Sequence, residues 1–599
     1  MKQMFWLCLT AILFATVLRA DDIRTPHSPL DTPIGTIYQA GTTWYDVQHN
    51  LTTGRMIGVD TAGYVHLAWM HSASGSTNPR HIRYNVWNPN TGLMQTSDGL
   101  DVDFATRAGF TTLAVTPEGF AIPCFHQVDP PTLPHLTAAI DFMPRAGAFI
   151  SSIAPYVIES ETNVNCIWPK VALDNNNTMH VVTVRSNFGD FYYSRGLPQI
   201  SGGVATGITW DLLQPTGTEF AVIDSTPSVT PDIAASLNSH RVAIAYARIR
   251  PGAINSGDGR NCDLYLAVSE DGGDTWGAPQ NLTQFTDADS QRVFGEISVI
   301  FDDNDNIHVA FTTAFYHEQS DGTITTSDYR ARIYHWNEPF NSFGLIASDW
   351  TDGLYRPGQN KRNLAIPSLS VDALTGNLFC SYQKFSQDAW SDSGFATSDA
   401  WVSVSTDVGR NWSAGRNVTD TQPAVNPAPA GQSQNERDIS MAPRLTYSGI
   451  SAYLHLFWQL DLDAGTWLVG EGIATENPLY YQRIAADEIP LSPLVPNVPL
   501  HDIIQPIGDL TIVTDETALS YTLRWSSRPN ANQYAIYKAT NLTQLFSPLN
   551  VFATVGDTTF TCTNCLIISP EQEYFGVIAS HVTETTTARA LPAKAISIQ

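Results

Sequence analysis

The sequence predicts an all-β protein: a seven-bladed β-propeller closed by an N-terminal strand, followed by a β-sandwich. Three observations carry this expectation. A strand–turn–strand unit recurs seven times along the chain. Two of the units end in near-identical tight turns, at 269–276 and 405–412. The composition is 15% charged and 11% aromatic, with 40 Gly and 36 Pro in 599 residues, a mix that suits short strands and many turns.

Residues 1–20 read as a secretory signal peptide. Lys2 opens it, Phe5 to Val17 is apolar, and Ala20 precedes Asp21-Asp22. The repeating unit is an alternating strand, an Asp/Asn/Gly turn and a second apolar strand. Its copies are 56–69, 111–125, 171–182, 233–246, 297–311, 369–382 and 445–458. Third strands follow, such as Ile82–Trp87 and Arg332–Trp336. A lone four-stranded sheet leaves a face bare, but seven stacked radially cover one another. The last unit ends at Leu479–Ile484 without a fourth strand, while residues 36–52 read as an outer strand without a blade. Pairing the two hides two sheet edges and closes the ring. The propeller is therefore expected over 21–485.

Prolines 490, 493, 496, 499 and 506 mark 486–506 as a semi-rigid linker. Beyond it, 521–525, 533–537 and 573–579 alternate as short strands of a sandwich.

In the two special turns the sequence is Ser269-Glu270-Asp271-Gly272-Gly273-Asp274-Thr275-Trp276 and Ser405-Thr406-Asp407-Val408-Gly409-Arg410-Asn411-Trp412. The Asp side chain can hold backbone N–H groups, Gly supplies a positive φ, and Trp packs back as an anchor. Each turn leads into Trp-x4-Asn-Leu/Val-Thr, and Trp44…Asn50-Leu51-Thr52 reads as the same phrase. These turns resemble the Asp-box of bacterial neuraminidase repeats, a mark of sialidase-like propellers. Residues 507–599 similarly resemble a fibronectin type III domain, a module that commonly acts as a spacer or adhesive unit.

The formal charge of −26 becomes −28 if Lys2 and Arg19 leave with the leader, 30 basic against 58 acidic residues. Such a surface repels nucleic acid and anionic lipid. No later apolar run approaches the length of a membrane-spanning helix. The chain is therefore expected to be exported, secreted or at the cell surface, and monomeric. Cys124, Cys166, Cys262 and Cys380 are scattered and read as buried apolar residues, whereas Cys562-Thr563-Asn564-Cys565 is a local disulfide or a pair of free thiols. No metal or cofactor is expected. Asp302–Asn306 fills a hairpin turn, and His66, His180, His308 and His455 recur at one strand position in different blades.

Chemistry is sought at the entries to the inner strands, which line one mouth of a propeller. Arg55, Arg107, Arg292, Arg362 and Arg437 all stand just before such strands. Converging guanidinium forks suit a carboxylate, sulfate or phosphate. Local pairing with acidic neighbours such as Asp103, Asp287, Asp289, Glu436 and Asp438 is the structural alternative. The resemblance to sialidases implies an arginine triad for the sugar carboxylate, a Tyr–Glu nucleophile pair and an Asp acid/base. Loop position makes Tyr355 and Glu436 candidates for the pair, with Asp438 beside them. Arg24-Thr25-Pro26 is the counterpart of the family's Arg-Ile-Pro phrase. Sialidases have six blades, against seven units here. Two functions follow: recognition of an acidic glycan at the axial mouth, with or without exo-glycosidase hydrolysis, or a non-catalytic scaffold for an extracellular or surface protein.

Overall fold

The computed structural model describes residues 32–598 apart from short internal stretches, the longest being 564–572. The signal-peptide and Arg24-Thr25-Pro26 readings, and the second Cys of the Cys-x-x-Cys pair, lie outside the described residues.

Seven antiparallel sheets, each a path of four strands, follow one another along the chain. Their inner strands are Ile57–Val59, Arg107–Val115, Cys166–Leu173, Asp232–Ala235, Gln291–Phe301, Leu364–Val371 and Asn435–Met441. They are taken here as blades one to seven. The strands alternate because apolar side chains on both faces of every blade must meet a neighbour.

Seven hydrophobic cores do this, each joining one blade to the next. Leu113 and Phe125 of blade two meet Met70 and Tyr84 of blade one, and the pattern repeats around the circle. The seventh core closes it, with Phe457, Leu479 and Tyr481 of blade seven against Leu67, Trp69 and Trp87 of blade one.

Closure is also covalently staggered. Thr36–Thr43 is the outer strand of blade seven, paired antiparallel with Asn477–Ala485 from Thr36 opposite Arg483 to Thr43 opposite Asn477. The outer strand stops at Thr43, however. Asn50-Leu51-Thr52 does not repeat the part played by Asn281 and Asn417, which lie in the outer strands of blades four and six. Thr52 instead crosses to blades four and five. Blade seven departs from its expected boundaries too. Its inner strand lies upstream of the anticipated hairpin, which survives only as Thr446–Ser448 against Tyr453–Ser451. Pro443, which has no N–H to give a ladder, sits in the break, and its carbonyl accepts from Val371 of blade six.

Both special turns form the expected bonds. Asp271 Oδ1 accepts from Thr275 N at 2.8 Å and Asp407 Oδ1 from Asn411 N at 2.9 Å. Ser269 and Ser405 each accept from the backbone N–H of Gly273 and Gly409. Both glycines have positive φ, and a Cβ on either would strike the preceding blade, at Tyr193 or His335. Trp412 is fully buried between blades five and six, while Trp276 packs at the edge of the core of blades three and four.

Residues 489–501 leave blade seven and run back along blades six and five. Val495 N donates to Trp412 O, Tyr334 Oη to Pro499 O, and Leu500 is buried in the core of blades four and five. Beyond this strap, strands at 511–562 and 533–598 form two sheets over one core containing Tyr521, Leu523, Trp525, Ile536 and Phe575. Cys562 is disulfide-bonded, while Cys124, Cys166, Cys262 and Cys380 are buried thiols outside any disulfide.

Candidate functional site at the axial mouth

The inner strands of five blades are irregular at one level. Phe110, Trp168, Ile366 and Asp438 have φ between 51° and 55°, and Gly295 has φ 112°. Each falls inside a register shift of its strand pair. For a residue with a Cβ, this left-handed conformation stores strain of about 1–3 kcal/mol. Such bulges turn a side chain out of the ladder, here around the mouth of the ring.

The stretch between the closing strand and blade one crosses this mouth. Gln48 N donates to Asp438 Oδ2 of blade seven, and His49 Nε2 lies 2.6 Å from Thr111 O of blade two. Thr52 N and Oγ1 reach Val229 O and Thr230 O before blade four, and Oγ1 also reaches Gly295 O of blade five. Residues 44–55 thus form a floor under the mouth, tied to blades on all sides.

Two charged nests lie in this floor. On the side of blades one to three, His126 Nε2 is 3.5 Å from Arg80 Nη2, and Nδ1 accepts from Trp168 N. The Arg80 guanidinium lies 4.8 Å from the centre of the Phe110 ring and donates to Tyr45 Oη. Lys170 Nζ stands 3.5 Å from His49 Nδ1. Burial pushes Lys170 down to about 7, and burial together with neighbouring cations pushes His126 and His49 well below the ordinary histidine range.

On the side of blades five to seven, Lys361 Nζ is 3.6 Å from Asp438 Oδ1 and 3.9 Å from Glu296 Oε1. These three atoms are buried without a hydrogen-bond partner among the described residues. Glu296 is raised by burial, against the opposing charge of Lys361. Asp46 is pushed by burial up to about 7, against the pull of Arg437.

Above the floor the rim is aromatic and cationic. Arg332 lies 3.9 Å from the Trp350 ring centre, Arg330 3.8 Å from Phe315, and Arg362 4.5 Å from Phe294. Trp168 stacks on Phe188 at 5.8 Å, and Tyr355 on Trp390 at 4.0 Å. The Nε atoms of Arg107 and Arg332 have no protein acceptor among the described residues.

The five arginines read from the sequence do not end in one place. Arg55 lies on the axis, donating to Ser298, Ser368 and Met441 O of blades five, six and seven. Arg292 is 1% exposed and spends its donors on Asn261 and on the carbonyls of Thr286, Asp289 and Gln291. Arg437 pairs with Asp461 at 3.0 Å and donates to Gly465 O. Arg107 and Arg362 stand at the rim. Tyr355 and Glu436 are engaged separately, Glu436 accepting from Thr421 Oγ1 at 3.0 Å. Asp438 is in the floor.

Sequence reasoning missed His49, His126, Lys170, Glu296 and Lys361. For His126, Lys170 and Glu296 the available signal was a charged or imidazole side chain inside strands that otherwise alternate apolar and small residues, as in Trp168-Pro169-Lys170 and Gly295-Glu296-Ile297, whereas His49 and Lys361 lie outside the strands.

No protein-family model matches this sequence, and no curated protein matches it. Among solved structures, the chain is similar to a PL25 ulvan lyase, with 12% identity over 71% of this chain and 96% of that one, TM-score 0.39. It is similar to the polysaccharide lyase Uly1, with 10% identity over 74% and 92%, TM-score 0.41. A third is an alpha-L-arabinanase of Penicillium chrysogenum, with 12% identity over 61% and 91%, TM-score 0.33. These are likenesses of fold and carry no site residue across.

Proposed function

We propose that this is an exported protein that recognises an acidic glycan at the axial mouth. The observation that carries the reading is the rim of blade five, where Arg332 lies against Trp350 and its Nε has no protein acceptor among the described residues. A guanidinium laid on a ring keeps its N–H edge free to fork an oxyanion, while aromatic faces stack on sugar C–H surfaces. The acidic body elsewhere disfavours anions over most of the outer surface.

Recognition without hydrolysis fits the site better than an exo-glycosidase of sialidase type. A tyrosine nucleophile needs a carboxylate beside it, and Tyr355 and Glu436 are occupied with Trp390 and Thr421. The C-terminal sandwich then acts as a fibronectin type III-like spacer, and the disulfide at Cys562 suits an oxidising compartment. A scaffold for a surface protein is the second reading, favoured by the same lack of a nucleophile pair.

The test is affinity electrophoresis through polygalacturonate and through neutral dextran. Retardation only in the polyuronate is expected, weakened by Arg332→Ala or Trp350→Ala with Kd raised about ten-fold, as for loss of a partly desolvated cation–ring contact. Equal migration in both gels would falsify glycan recognition and leave the scaffold. A fluorogenic sialoside assay decides catalysis: turnover lost in an Arg362→Ala, Arg437→Ala double variant would restore the hydrolase, and no turnover is expected.

A further inference from the structure

On the face opposite the mouth, the axis holds a second site. There the ring opens into a cavity of about 400 Å³, bounded outside by hairpin residues such as Asp60, Pro117 and Asn175. Its walls are the far halves of inner strands, among them Val59, Val115, Leu173, Ala235 and Phe301, joined by Leu445 from the break after the inner strand of blade seven. Arg55 lies at the inner end, where the floor of the mouth meets the channel. The polar lining is divided between Arg55 at the inner end and turn residues such as Asp60, Asp174 and Arg444 toward the opening, with apolar walls between, which is the form of a small-molecule pocket.

The charge at that inner end is positive. Arg55 donates from Nη1 to Ser368 Oγ and Met441 O, and from Nη2 to Ser298 Oγ, all neutral acceptors. One carboxylate, Asp232, acts on it electrostatically, and Asp232 is shared with Lys170. Arg55 and Lys170, the latter brought down to about 7 by burial, share this carboxylate. Three of the five guanidinium N–H groups are engaged, which leaves donors for an incoming anion. The arginine is held in place by three blades before any ligand arrives, so little ordering opposes binding.

We propose that this cavity binds a medium-chain fatty carboxylate, with its head on Arg55 and its chain along the inner strands toward the open face. A carboxylate pairs with Arg55, and the chain covers Val59, Val115, Leu173 and Ala235, which line the cavity and are only half-buried. The site is independent of the glycan reading, since the floor formed by residues 44–55 separates the two.

The test is titration of the full chain with decanoate and with decanol by isothermal calorimetry. Saturable binding of one decanoate per chain is expected, with decanol at least ten-fold weaker. Ala235→Trp places an indole in the cavity and should abolish binding while polyuronate retardation and far-UV circular dichroism stay unchanged. Arg55→Met should bring decanoate down to the level of decanol. No saturable binding, equal binding of acid and alcohol, or decanoate binding unaltered in Ala235→Trp would each overturn the proposal.

Discussion

His455 shows how the four repeated histidines serve the fold. Its Nδ1 is 2.7 Å from Tyr481 Oη and its Nε2 2.7 Å from Thr446 Oγ1, and it is 1% exposed. His66, His180 and His308 take the same place, each between a hairpin Asp and a ring of the third strand, Tyr84, Tyr193 or His335. Burial, with Arg483 behind it, pushes His455 down to about 3 from 6.5. The unfolded chain therefore takes up a proton below pH 6.5 that the folded chain refuses until pH 3. Folding stability is lost through that window at up to about 1.4 kcal/mol per pH unit. Buried carboxyls such as Asp46, raised to about 7, act in the opposite sense as pH falls. The contribution of His455 must then be read as a difference. Between pH 7 and pH 5, His455→Gln should lose about 2 kcal/mol less stability than the parent in urea unfolding. Parallel curves for the two proteins would show that His455 accepts its proton in the folded state.

At the scale of elements, the chain is held at both ends by strands it borrows from distant sequence. The pairing of Thr36–Thr43 with Asn477–Ala485 was legible because the last unit lacked an outer strand and the first stretch had one to spare. The strap was not legible. Its prolines suggested a spacer, and only its contacts show Val495 and Leu500 packed into the cores of neighbouring blades. The crossing of the mouth by 44–55 was hidden for another reason. Asn50-Leu51-Thr52 matches the triplets after the Asp-box tryptophans, but a three-residue match does not fix which backbone groups Thr52 will meet. The arginines were chosen by position before the inner strands, and position could not distinguish Arg107 at the rim from Arg292 among four protein acceptors. For the strap the expected behaviour is local release. Leu500 is fully buried, so Leu500→Ala should weaken docking by about 2–5 kcal/mol. His501, 3.2 Å from Asp289, should come away with it. Limited proteolysis should then cut between 486 and 510 in the variant and leave the propeller whole. Loss of the entire propeller at the same protease dose would mean that the strap is part of the global folding unit.

For the whole molecule, the net charge of −26 and the arginine-bearing rim would act over different distances on the acidic glycan proposed as ligand. The body repels it through solvent, over a Debye length of about 30 Å at 10 mM salt and about 8 Å at 150 mM. The rim attracts it only in contact, where guanidinium groups lie on aromatic rings and are screened less. Adding salt should therefore remove the repulsion first. Polyuronate affinity is expected to rise between 10 and 150 mM sodium chloride, chiefly through a faster association rate, and to fall only above that range as the contacts themselves weaken. Arg332→Ala should lower affinity at every salt concentration while keeping the initial rise, because the rise belongs to the body and not to the rim. Surface plasmon resonance over a salt series separates the two effects. A monotonic fall from 10 mM upward would mean that the approaching glycan meets a basic field, and would move the binding surface away from an acidic body with a local arginine rim.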